Sequence, residues 1–194
     1  MYIDALVNIT SRAWALPILS SLHEGVPGRQ APLLAATGAG RTSFSQSVDH
    51  LIQIGLLERN PGYGHPLRPE FRLTQRGAVA ARFVNQILSA TSEDNQDLLR
   101  RSWTLPVLAT LHELSHFNEI RRNLMTITDR ALSQSLRMME ERDWVQRDID
   151  DGARPPRATY HPINTGETIT AITGPVIVFK TGSQLRQLKV GDSI

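Results

Sequence analysis

The chain has no cysteine, which excludes a disulfide framework, a thiolate nucleophile, a thiolate zinc site and a thiol redox switch, and makes a reducing cytoplasm the expected compartment. Long hydrophobic runs are missing too. No stretch approaches the roughly 18 to 20 apolar residues of a membrane span, and the first residues lack the basic and then apolar profile of a signal peptide. A cytoplasmic protein with no membrane partner is expected. Lysine is scarce: all basic residues but Lys180 and Lys189 are Arg. An excess of charge is absent as well, since 21 basic residues meet 19 acidic ones for a net charge of +2, too even to argue for nucleic acid by itself. The distribution is less even. Residues 1–91 hold 8 Arg against 5 acids, residues 92–173 hold 10 Arg against 13 acids, and the remainder holds 3 basic residues against 1 acid. Arg suits phosphate and guanine, because its planar fork donates two parallel hydrogen bonds.

With 194 residues, 40% hydrophobic and 21% charged, the chain is a folded globular protein of one large domain or two small ones. Internal similarity favours two. Arg12, Trp14, Leu16, Pro17, Leu19, Leu22, His23 and Glu24 recur 89 residues later as Arg101, Trp103, Leu105, Pro106, Leu108, Leu111, His112 and Glu113. The register then slips by one, matching Ser45-Gln46-Ser47 with Ser133-Gln134-Ser135 and Arg59 with Arg147, before Gly77 and Gly166 restore it. Two copies of a unit of about 85 residues, each the size of a small domain, account for nearly the whole chain. The expected domains are 1–91, including a connector helix, and 92–173, followed by a tail over 174–194.

Each copy reads as helices followed by a strand pair. In the first, Trp14, Leu16, Ile18, Leu19 and Leu22 mark an apolar helical face with Pro17 near its first turn, and Gly25 to Gly28 end it. Leu33 and Leu34 lie in a short second helix closed by Thr37-Gly38-Ala39-Gly40. A third runs from about Thr42 with Phe44, Val48 and Leu51 inward, ending at Gly55. Leu56 to Arg59 and Phe71 to Leu73 are strands around a Pro- and Gly-rich loop from Pro61 to Pro69. In the second copy Phe117 to Arg122 form the short helix, Thr126-Ile127-Thr128 the turn with Thr128 as N-cap, and Leu132, Leu136 and Met139 the inward face of the next helix. Trp144 to Arg147 and Ala158 to Tyr160 flank the second loop. Residues 77–100 read as a helical connector starting afresh at Ser92-Glu93-Asp94, and Val176 to Phe179 read as extended, with the last dozen residues disordered. The expected fold class is mainly α with small β wings (α+β), as two tandem winged helix-turn-helix domains.

The second copy resembles the HxlR-type winged-helix transcriptional regulators of bacteria, relatives of the MarR group. Arg101-Ser102-Trp103-Thr104-Leu105 is similar to that family's Gly-Lys-Trp-Thr-Leu start, and Phe117-Asn118-Glu119-Ile120-Arg121-Arg122 to its Phe-Asn-Glu-Leu-Arg-Arg segment. Leu132 to Arg137 is similar to its recognition helix, and Pro155-Pro156-Arg157 through Tyr160 to its wing. The resemblance covers about residues 95–170. Family members carry one such domain and pair as homodimers, so the resemblance implies that the partner is fused in the same chain. A monomeric pseudo-dimer would then present two heads about 34 Å apart to double-stranded DNA, with an imperfect palindrome as operator. The chain departs from the family in having no amino-terminal cysteine, which excludes oxidant sensing of that kind, and its first copy lacks the Phe-Asn-Glu and Pro-Pro-Arg motifs.

The candidate DNA contacts are Thr128, Arg130, Gln134 and Arg137 on the second reading helix, and Arg41, Thr42, Ser45 and Gln46 on the first. Arg reads guanine or phosphate, and Gln reads adenine. On the second helix the competing reading is a solvated face with Asp129, Glu140 and Glu141 as ion-pair partners; on the first, Asp49 and His50 replace a second Arg. The wings offer His65, Arg68 and Arg72, and Arg154 and Arg157. Two prolines stiffen the loop before Arg157, while Asp148, Asp150 and Asp151 oppose DNA there. Trp14 and Trp103 are ordinary core aromatics, or else walls of a site for a planar, small hydrophobic effector. His23-Glu24 and His112-Glu113 read as helix-end polar pairs, with no further ligands at metal spacing. No Walker loop, Gly-x-Ser-x-Gly elbow, His-x-x-x-His pair or Rossmann fingerprint is present, so no catalytic residue, metal or cofactor is expected, and Ala36 to Arg41 read as the turn of a helix-turn-helix. The leading expectation is a sequence-specific DNA-binding transcriptional regulator, ligand-responsive in one version. Its rivals are a small-molecule binding or sequestering protein on a winged-helix scaffold that has lost DNA binding, and a protein-interaction module.

Overall fold

The structure is a computed structural model that describes residues 1–60, 70–111, 115–150 and 156–177. Its elements run α1 (Ile3–Thr10), α2 (Ala15–His23), α3 (Gln30–Thr37), α4 (Arg41–Gln53), β1 (Leu57–Asn60), β2 (Glu70–Leu73) and α5 (Gln75–Ser89). A 3-10 turn (Glu93–Asn95) then leads to α6 (Gln96–Leu99), α7 (Thr104–Leu108), β3 (Ser115–His116), α8 (Phe117–Leu124), α9 (Asp129–Glu140), β4 (Val145–Asp150), β5 (Arg157–Pro162) and α10 (Thr165–Thr173). Helices dominate, and the sheets are small, an architecture consistent with a winged helix-turn-helix.

The apolar spacing seen in the sequence accounts for most of these elements. Ala15, Leu16, Ile18 and Leu19 of α2 are buried, and Pro17 falls in the first turn, where its missing N–H leaves no bond unmade. Glycines at φ +86° (Gly25), +69° (Gly38) and +72° (Gly55) end α2, α3 and α4 in the left-handed region. Phe44, Val48 and Leu51 form the inward stripe of α4, and Leu132, Leu136 and Met139 that of α9. Thr128 caps α9, its Oγ1 accepting from Ala131 N–H at 3.2 Å.

The backbone contacts that close each helix onto its hairpin are the same in both halves. Leu56 N–H donates to Leu51 O at 2.9 Å, and Trp144 N–H to Met139 O at 2.9 Å. Thr74 N–H and Ile163 N–H return to Leu56 O and Trp144 O at 3.0 and 2.9 Å. Against those carbonyls lie Gly77 and Gly166, each so close that an added Cβ would overlap the carbonyl oxygen of Leu56 or Trp144. These positions keep the offsets of 88 and then 89 residues seen in the sequence. The halves differ in their third strand. In the second, β3 pairs antiparallel with β5, Ser115 opposite Tyr160 and His116 opposite Thr159. In the first, the described contact at this place is one bond, Phe71 N–H to Gly28 O at 2.5 Å.

Several features differ from the sequence reading. Helix α1, whose buried Ile3, Leu6, Ile9 and Thr10 fall at helical spacing, and the two-residue β3, too short to show a period, are absent from the sequence reading. The connector does restart at Ser92-Glu93-Asp94 as read, but after a full break: α5 ends at Ser89, and Thr91 Oγ1 turns back to Ile87 O at 2.8 Å before the 3-10 turn at Glu93. Trp14 and Trp103 are half-buried N-cap residues of α2 and α7 and do not lie on the helix faces. Val176 is in a turn and not extended, because its N–H and that of Ile177 both return to Thr173 O. The expected loop at 61–69, His112-Glu113 and the segment from 178 lie outside the described residues.

The apolar core is continuous through both halves. Helix α1 packs on α2 and on α7, while α10 reaches both α5 and α7. Thr170 Oγ1 bonds Leu108 O at 3.3 Å, and Met1 N bonds Val176 O at 2.7 Å. The glycine contacts give a stability test. Gly77→Ala and Gly166→Ala each force a methyl group into a backbone carbonyl that cannot rotate away, and each should destabilise the fold by about 1–3 kcal/mol, the usual cost of overpacking. Thermal unfolding by circular dichroism reads this as a lower Tm, and an unchanged Tm for either variant would contradict the close approach.

Candidate nucleic-acid interface

Helix α9 is amphipathic because its two faces do different work. The buried stripe of Leu132, Ser135, Leu136 and Met139 leaves Arg130, Gln134 and Arg137 exposed, at i, i+4 and i+7 on the opposite face, with Thr128 exposed at the cap. Arg137 is 79% exposed in its side chain and forms an ion pair with Glu141 at 3.0 Å, as the solvated-face reading expects. Arg130 has no ion-pair partner among the described residues.

The Phe117 to Arg122 segment positions this face. Glu119 accepts the N–H of His116 at 2.9 Å and so fixes the start of α8. Ile120 and Leu124 anchor α8 in the core, and Arg121 Nη1 reaches Asp129 Oδ1 at 2.9 Å, tying α8 to the first residue of α9. Arg122 and Arg157 line one groove of about 500 Å³ between α8 and β5, along with His116, Asn118 and Ala158. The structure therefore brings Arg157 beside Arg122, a residue the sequence reading had not selected as a contact. Asp148 of β4, expected to oppose an anion, is engaged by Gln146 Nε2 at 3.0 Å and lies 3.2 Å from His161 Nδ1. Arg154 lies outside the described residues.

Helix α4 presents Arg41, Thr42, Ser45 and Gln46 on its exposed face, but its setting is poorer. Its N-cap is Gly40, with no side chain to bond, and α3 before it buries Leu33 as its one fully enclosed apolar residue. Asp49 lies among the candidate contacts, 3.4 Å from Ser45 Oγ and 3.7 Å from Arg59. Arg72 is held by Glu70 at 2.9 Å. Arg68 and His65 lie outside the described residues.

Two further arginines make contacts at the connector, and no short-range sequence signal marks them. Arg142, just past α9, donates from Nη1 to Asp94 O at 3.1 Å and Asn95 Oδ1 at 2.7 Å, and meets Asp97 Oδ2 through Nη2 at 3.2 Å. Arg100 lies over the Trp14 ring, 4.9 Å from its centroid, a cation–π contact. Trp14 and Arg100 line a cavity of about 230 Å³ with Ser20, Glu24 and Thr37. Trp103 is not part of that wall, so the structure does not join the two tryptophans in one site. His23 and Glu24 end α2. Among the described residues no group of three or more His, Asp or Glu side chains is placed to hold a metal ion, and no helix is long and apolar enough to cross a membrane.

Comparison with known proteins agrees with this geometry over the second half. Searches of curated proteins and of solved structures found no match. A family model described as HxlR-like helix-turn-helix matches residues 98–186, a little under half of the chain. That stretch contains α7, α8, α9, both strands of the β4–β5 hairpin and α10. Residues 98–186 are therefore similar to an HxlR-like helix-turn-helix domain.

Proposed function

We propose that the chain is a sequence-specific transcriptional regulator in which two winged helix-turn-helix units, 1–91 and 92–173, act as an intramolecular pseudo-dimer on double-stranded DNA. One observation carries the reading: α9, inside the matched domain, holds Arg130, Gln134 and Arg137 on a single exposed face while its other face is locked into the core. Affinity would come from Arg and backbone N–H contacts to phosphate, and discrimination from side chains of the two reading helices. The repeated closure at Leu56–Gly77 and Trp144–Gly166 supports a second unit in the first half. Arg41, Thr42, Ser45, Gln46 and Arg68 are its candidate contacts; Thr128, Arg130, Gln134, Arg137, Arg154 and Arg157 are those of the second unit. Arg122 joins them from its groove with Arg157. Because the two faces differ, the operator is an imperfect palindrome.

Ligand binding on the same scaffold is the second reading, and the cavity beside Trp14 favours it. A planar effector stacked there would displace Arg100 from the indole and act on the connector that joins the units. It would quench tryptophan fluorescence saturably, and an unchanged spectrum across planar hydrophobic compounds would remove it.

The decisive experiment is fluorescence anisotropy of the protein with DNA fragments from upstream of its own gene, over a salt series. Tight binding to one fragment, well above random DNA and falling steeply with salt, is expected; equal binding to all fragments at low salt would overturn sequence-specific regulation. Arg130→Ala and Arg137→Ala should each weaken operator binding by about 1–3 kcal/mol if the residue reads a base, whereas uniform loss on all DNA would make it a phosphate contact and lower the salt slope by about 1. The ion pair gives a test of opposite sign. Glu141→Gln releases Arg137 and removes a carboxylate beside it, so DNA affinity should rise, by an amount on the order of an exposed pair, about 0.2–1 kcal/mol. Weaker binding in that variant would place Glu141 on the side of the fold and not of the interface.

A further inference from the structure

Among the described residues, five large hydrophobic side chains are exposed, and three of them share one place: Tyr2 (50%), Val79 (71%) and Val176 (36%) all line an open cleft between α1 and α5. The cleft holds about 630 Å³, inside the range of about 300–1,000 Å³ common for small-molecule sites. Ile9, Leu56 and Phe83 form its deeper wall and belong to the buried core. Exposed apolar side chains scattered singly call for no explanation, but a cluster around a concave surface does.

The cleft has one charged side chain in its lining, Arg76, in the first turn of α5. Arg76 is exposed and has no ion-pair partner among the described residues. The remaining polar side chains there are those of Asn8 and Tyr2. An apolar trough whose charged lining groups are cationic, the Arg76 guanidinium at its edge and the Met1 ammonium group held on Val176 O at 2.7 Å, is complementary to a molecule with an apolar body and one anionic end. A neutral oil would leave the guanidinium unused, and a cation would be repelled by it. We propose that this cleft is a binding site for an amphipathic monocarboxylate, its tail on Val79, Phe83 and Ile9 and its carboxylate on Arg76. The site is separate from the exposed faces of α4 and α9 and from the Trp14 cavity, and it does not depend on DNA binding. Its walls do reach the other half: α1 packs on α7, and α5 on α10.

The test is calorimetric titration of the full chain with hexanoate, octanoate and decanoate, with decanol and decyltrimethylammonium as charge controls. Saturable binding at one site is expected, tightening by up to about fourfold per added methylene, as burial of each in an apolar wall requires. Arg76→Gln should weaken decanoate by about tenfold, the loss of a charge-assisted contact, while leaving decanol unchanged. Val79→Glu sits at an exposed position where folding tolerates charge, and should abolish decanoate binding with an unchanged Tm. Equal affinity for decanoate, decanol and the quaternary amine would overturn the assignment of an anion. No saturation up to about 1 mM, the weak end of useful affinity, would overturn the site. Concentration-dependent self-association lost in Val79→Glu, without decanoate binding, would give the cleft to a second copy. Tighter decanoate binding in Phe179→Ser would give it to the carboxy-terminal segment, and either result would also overturn the proposal.

Discussion

Helix α7 is short, five residues, and every one of them is buried. It has no solvent face to spare, because α1 of the first half, α8 and α9 of the second, and α10 at the end all pack against it. A helix enclosed on all sides needs apolar residues around its whole circumference, and Leu105, Pro106, Val107 and Leu108 supply them. The orientation of α9 is therefore set through α7: Leu132, Leu136 and Met139 can seat only one way on that apolar surface, and Arg130, Gln134 and Arg137 are exposed as a consequence. The same helix carries the first half's α1, so one contact between the halves is made on the surface that seats α9.

Around this packed centre, polar ties fix angles that apolar contacts leave loose. Hydrophobic burial is non-directional, whereas the Arg121–Asp129 pair at 2.9 Å and the bond from His116 N–H to Glu119 have one geometry each. In the Phe-Asn-Glu-Ile-Arg-Arg segment, Glu119 caps, Ile120 anchors and Arg121 ties α8 to α9, while Arg122 is left facing the groove with Arg157. In the first half α3 keeps an apolar anchor, Leu33, without the matching cap or tie among the described residues. Its α3 starts at Arg29 with no side-chain cap, and its third strand shrinks to the Gly28–Phe71 bond. The exposed pairs are worth little to stability, so their service is to orientation, and in the first half α4 is tied differently, by Asp49 to Arg59 at 3.7 Å and by His50 Nε2 to Asn8 O at 2.7 Å.

Much of the fold was legible because the chain states it twice. Glycine at 77 and 166 and the apolar triplets at 44, 48, 51 and 132, 136, 139 are constraints of local geometry, and local geometry is what periodicity and turn chemistry encode. Helix α1 has apolar residues at helical spacing, whereas its packing on α7, some hundred residues away, has no local signal. The two residues of β3 have no period at all, and Arg142 is tied to the connector from 45 to 48 positions off. The candidate interface was legible as a set of residue types on one face. Glu141 was already among the partners expected on α9; what the sequence could not supply was that Asp49 is engaged by Arg59 and Asp148 by Gln146. Those pairings arise from rotamers and neighbours, and both carboxylates would have been written as free charges from the sequence alone.

On the proposed reading, the fusion explains why one half could lose its supports. Two separate subunits that share one gene must keep one set of contacts, because every change falls on both. Two units in one chain are released from that symmetry, and the second binding event becomes intramolecular, with an effective concentration set by the connector. The connector's end is anchored on the second unit where the Arg142 guanidinium meets Asp94, Asn95 and Asp97, past the break between α5 and α6. A weak α4 head held at a fixed distance from a strong α9 head still adds phosphate contacts to every encounter that α9 begins. The first half can then drift toward other uses without ending DNA binding, and the apolar cleft between α1 and α5, with Arg76 at its edge, lies in the half that is free to drift.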